Sequence, residues 1–102
     1  MSWYSVRCIF KALDRSAYEE RITLWRAEST ESAIRMAEIE ASEYASRSGF
    51  EYVGLAQAYD PKTDRLDNGS EVFSLIRQST LKPSEYVDRF FDTGAEAQRR
   101  GE

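Results

Sequence analysis

Trp3-Tyr4-Ser5-Val6-Arg7-Cys8-Ile9-Phe10-Lys11-Ala12 sets the fold of this chain. Tyr4, Val6, Cys8 and Phe10 alternate with Ser5 and Arg7 at period two, the spacing of a strand. The even positions make one apolar face. The odd positions are mixed, because Trp3 and Ile9 flank Ser5 and Arg7. A strand apolar on both sides belongs in a sheet covered on both faces, whereas a half-solvated sheet is apolar on one only.

Working outward, 18–27 reads as a second strand, with Ile22 and Leu24 on one face and Thr23 and Trp25 on the other. The short polar link Leu13-Asp14-Arg15-Ser16-Ala17 makes an antiparallel hairpin the simplest connection. Residues 30–48 read as a helix, entered through Ser29 or Thr30 as a cap and left through Gly49. Its apolar stripe, Ala33, Ile34, Ala37, Ala41, Tyr44 and Ala45, is mostly alanine, which lets a helix lie close to a sheet. Strands are expected at 50–59 and 71–77, joined through the turn formers Asp60-Pro61 and Asn68-Gly69. A second helix is expected from near Pro83 to near Gly94, with Tyr86, Val87, Phe90 and Phe91 on one side.

The fold class expected is α+β: a four-stranded antiparallel sheet of order 2-1-3-4 in a ββαββα arrangement, with one long helix packed on one face. Residues 1–94 form a single domain, and 95–102, which lack a large apolar residue, form a flexible tail.

Composition narrows the chemistry. The 102 residues contain no histidine and one cysteine, Cys8. Triads built on histidine and zinc sites built from histidine and cysteine are therefore closed to a single chain. The reading is of a non-enzyme, with no cofactor and no metal. Asp60, Asp64 and Asp67 do not have the spacing of a calcium loop. Glu19-Glu20 and Glu71 are exposed strand ends, and Cys8 sits in the alternating face as a buried thiol. Gly54 marks a bend or a close approach within its strand. A lone cysteine, the absence of a long apolar run and an N-terminus unlike a signal peptide point to a cytoplasmic protein with no membrane role. The net charge of −4 disfavours nucleic acid as a partner. Eleven of the fourteen basic residues are arginine, the type that stacks on aromatic rings and pairs bidentately.

The sheet has more apolar surface than two helices of these lengths can cover. Trp3, Arg7, Arg21 and Trp25 are the expected members of the uncovered remainder, a binding face for a protein partner or a second copy. The alternative is that Trp3 and Trp25 pack under the second helix of the same chain. Met36 and Ile39, off the main helical stripe, could mark another contact surface. The function expected is a small protein-interaction module that self-associates or binds a larger protein. The other readings are a single-stranded nucleic-acid binder stacking bases on Trp3 or Trp25, and a small ligand-binding protein or enzyme that works without histidine.

The segments Trp3–Phe10, Tyr18–Ala27, Tyr52–Tyr59, Glu71–Arg77 and Glu85–Gly94 resemble the DUF4288 family of bacterial proteins, most specifically in Tyr18-Glu19-Glu20-Arg21-Ile22 and Phe90-Phe91-Asp92-Thr93-Gly94. The resemblance implies a small bacterial domain and carries over no catalytic residue.

Overall fold

The first strand lies at the centre of the molecule. The computed structural model describes residues 1–92 and 94–100. In it β1 (Ser2–Ala12) is flanked by β2 (Tyr18–Ala27) and β3 (Phe50–Tyr59), giving a three-stranded antiparallel sheet of order β2-β1-β3. Helix α1 (Thr30–Ser48) connects β2 to β3 across one face, and a short α2 (Pro83–Phe90) follows much later.

Local chemistry accounts for α1. The Ser29 hydroxyl accepts from the Ser32 amide at 3.1 Å, and Gly49 closes the helix at φ 78°. A side chain at that φ would be strained, which is why glycine terminates helices there. Ala33, Ala37 and Ala41 are buried against Tyr4, Val6, Cys8 and Phe10. Phe10 is fully buried and meets the ring of Tyr44 edge-on at 5.1 Å and that of Tyr52 at 5.6 Å. This layer of β1 against α1 is the core.

The expected fourth strand is not in the sheet. Residues 71–77 have no strand pairing and lie over the second sheet face instead of extending its edge. Two causes are visible. Strand β3 is interrupted where Cys8 pairs with Ala56 but Phe10 pairs with Tyr52, so two residues of β1 span four of β3. Gly54, at φ 91°, lies inside this bulge, and a bulge breaks the regular row of edge groups that another strand would use. Contacts on the face then hold the segment where it is. The Ser5 hydroxyl donates to the Val72 carbonyl, and the ring of Phe73 lies 5.9 Å from that of Tyr59 and 4.8 Å from the Arg7 guanidinium. The fold class α+β stands. The sheet has three strands, not four, and there are two helices, of which only α1 packs on the sheet.

Helix α2 is also shorter than the sequence suggests. It ends at Phe90, with the Phe91 amide bonded to the Val87 carbonyl. None of its Cα atoms lies within 8 Å of a strand. It is held to the preceding segment, where Arg77 donates to the Tyr86 hydroxyl at 2.8 Å and stacks 4.3 Å from the ring of Phe90. Within the stretch read as a tail, Arg100 bonds Asp88 at 2.8 Å and Asp92 at 2.9 Å. Residues 101 and 102 of that stretch lie outside the described residues. Among the described residues no helix is long and apolar enough to cross a membrane.

Candidate interaction face

The register of the first hairpin decides which side chains meet. Trp3 pairs with Arg26, Ser5 with Leu24 and Arg7 with Ile22. Residues opposite each other in an antiparallel pair share a face, so Ile22, Leu24 and Arg26 join Trp3, Ser5 and Arg7 on the side away from α1. On β3, Gln57 pairs with Arg7 and Tyr59 with Ser5, and alternation places Val53 and Leu55 on the same side. Trp25 pairs with Tyr4 and Arg21 with Cys8, so both belong to the α1 side.

The four residues expected to form one face are therefore divided. Trp3 and Arg7 lie on the second face. Arg21 and Trp25 lie on the first, and both are engaged there. Arg21 makes a bidentate pair with Glu40 of α1 and stacks 3.9 Å from the Tyr44 ring. Trp25 packs against the core beneath α1 and donates its indole N–H to the Thr23 hydroxyl at 2.7 Å. The two tryptophans are half-buried, on opposite sides of the sheet.

On the second face, Arg7 is the centre of a cross-strand network. Its Nη2 donates to Gln57 at 2.7 Å and its Nη1 to Glu20 at 3.3 Å, beneath the ring of Phe73. Arg26 lies 5.8 Å from the Trp3 ring, and the Trp3 amide donates to the Thr63 carbonyl at 2.9 Å. Ser5, fully buried, gives its hydroxyl to Val72. Tyr59 donates to Glu71 at 2.6 Å, and that bond raises its phenol pKa above the ordinary value. Between this network and α2 runs a cleft of about 380 Å³ bordered by Arg7, Phe73, Leu75, Arg77, Tyr86 and Phe90.

The segment over this face covers Ser5 and Arg7 and leaves the flanks open. Ile22 retains 45 % of its exposure, Leu24 41 %, Val53 46 % and Leu55 47 %. These apolar residues on both edge strands face solvent, and Leu75, Ile76, Phe90 and Phe91 of the following chain are exposed as well. Sequence reasoning found Ile22 and Leu24 as a strand face but did not join them to Trp3. The parity of the hairpin register is the signal that does so, because a slip of one residue exchanges the two faces of a strand.

Two of the aspartates singled out in the sequence have local partners. Asp60 accepts from the Lys62 amide and Asp67 pairs with Arg65. Among the described residues no cluster of three acidic or thiol side chains could hold a metal ion. Cys8 is buried, and burial raises its thiol pKa, which makes it a poor nucleophile.

No family model, no curated protein and no solved structure matches this chain.

Proposed function

We propose that this protein is a protein-interaction module whose working surface is the second face of the sheet, and that its partner there is a second copy of the same chain. The observation that carries this reading is the placement of Ile22, Leu24, Val53 and Leu55 on one face, each exposed by more than two-fifths. Apolar side chains gathered on one face mark a contact surface, whereas scattered ones do not. The chemistry of the same face supports it. Arginine and aromatic residues are enriched at the centres of interfaces; Arg7 and Phe73 stack on the central strand of this face, and Trp3 lies on the same face at the end of that strand.

Solution mass, measured by light scattering against concentration, tests the reading. Wild type gives twice the chain mass. Leu24→Arg and Leu55→Arg place a charge on the face and return the monomer, with the circular dichroism of the fold retained. Ile39→Arg, on the outer side of α1, leaves the dimer intact. A monomer at every concentration, or dissociation by Ile39→Arg alone, overturns the reading.

A further inference from the structure

The segment on that face has a property that the exposed side chains alone do not explain. Residues 71–80 run without a turn, bend or helix, yet among the described residues their backbone makes no hydrogen bond to another backbone group. Among the described residues, the one bond to their main chain within 71–77 comes from the Ser5 hydroxyl to Val72. The sequence Glu71-Val72-Phe73-Ser74-Leu75-Ile76-Arg77 is nonetheless rich in strand-forming residues. Ile76 is 94 % exposed. A strand-forming segment with free amides and carbonyls is a template for pairing with another chain.

The segment is also complementary to itself. Run antiparallel against a second copy about Ser74, it sets Glu71 opposite Arg77, Val72 opposite Ile76 and Phe73 opposite Leu75, at both ends alike. Opposite charges and apolar pairs directly across a ladder stabilise it. A two-fold axis requires this kind of matching, in which each position meets its counterpart twice.

We infer that residues 71–77 of two copies pair as antiparallel strands about a two-fold axis at Ser74, forming a two-stranded ribbon over the second faces of both sheets. This rests on the dimer reading above and names its central contact. An isolated two-stranded ribbon is marginal in water and needs an apolar surface beneath it. Phe73 on Tyr59 and Arg7 shows the sheet supplying that surface. The bulged edge of β3 is the poorer partner, because its ladder is broken at Gly54.

A charge exchange tests the pairing in trans. Glu71→Arg alone sets two arginines against each other at both ends of the ribbon. Arg77→Glu alone sets two glutamates against each other at the same places. Each homodimer then carries two like-charged pairs and is expected to dissociate at least about tenfold more readily than wild type. Mixed together, the two variants restore both opposite-charge pairs, and a heterodimer of near wild-type affinity forms. Ser74→Cys supplies a second measurement. Its thiols meet at the axis and cross-link under mild oxidation, whereas Ser79→Cys does not. If the dimer is unaffected by either charge variant but is lost in Leu24→Arg, the strand pairing falls and the wider reading stands. If wild type is monomeric, both fall. Open-ended polymers in place of dimers overturn the closed two-fold pairing.

Discussion

Arg21 of β2 and Glu40 of α1 form a bidentate pair, with Nη1 to Oε1 at 2.5 Å and Nη2 to Oε2 at 2.9 Å. About a quarter of each side chain is exposed. The pair fastens an edge strand to the helix that covers the core. Its Coulomb gain is discounted by partial solvation, but the forked geometry is the favourable one.

A double-mutant cycle with Arg21→Ala and Glu40→Ala is expected to give a coupling of about 1 kcal/mol in urea unfolding. Its pH dependence follows from the same bond. The hydrogen bond from Arg21, and then its charge, hold the Glu40 carboxyl below the ordinary value of 4.5. A depressed folded pKa contributes stability above the unfolded value and loses it as pH falls through the folded one. Glu40→Gln should therefore flatten the acid limb of stability below about pH 4.5 and leave its shape at neutral pH unchanged.

Phe10→Ala should be the most damaging single truncation in the core. Phe10 is fully buried between the rings of Tyr44 and Tyr52, and the alanines of α1 cannot expand to fill the space. The expected loss is about 3–5 kcal/mol. Against a total of about 5–15 kcal/mol this brings the fold near its limit, which the urea midpoint would show.

Tyr52 should govern the alkaline limb. Burial first, and then its hydrogen bond to Glu38 at 2.5 Å, push its phenol well above the ordinary value of 10. A raised folded pKa contributes stability that is complete below the unfolded value and is lost as pH rises beyond it. Stability should therefore decline above about pH 10 in wild type, and more shallowly in Tyr52→Phe, as followed by thermal melts from about pH 8 to 11.

Ser48→Ala should stabilise. The Ser48 hydroxyl, at the end of α1, is buried with no hydrogen-bond partner among the described residues. Removing an unsatisfied buried group recovers its desolvation cost, and alanine is the better helix former. An increase of about 0.5–1 kcal/mol in unfolding free energy is expected.

Much of the fold was legible. The alternation of Tyr4 to Phe10 marked the central strand, Ser29 and Gly49 bounded α1, and the alanine stripe identified its inner side. The segment from Glu71 to Arg77 reads as a strand because side-chain type records β-preference but not the presence of an edge to join. That edge was altered by Gly54, whose effect depends on how two residues of β1 match four of β3. The candidate site was half legible for a related reason. Trp3 and Trp25 each signalled an aromatic face, but only the pairing of Trp3 with Arg26 shows that the two faces differ. Residue types cannot encode that parity. It is set by the hairpin link, through Lys11 opposite Tyr18.

The burial of Ser5 divides the molecule mechanically. Beyond Tyr59 the chain is tied to the sheet by Trp3 to Thr63, Ser5 to Val72, Tyr59 to Glu71 and the stacking of Phe73, whereas β1, β2 and β3 are joined by backbone ladders and pack with α1 around one core. Fewer ties hold residues 60–92 than hold that block together, so their amides are expected to exchange with solvent sooner than those of β1, as hydrogen exchange would show. Local opening of this segment would uncover Ser5 and the Arg7 network together, whereas Ile22, Leu24, Val53 and Leu55 face solvent either way.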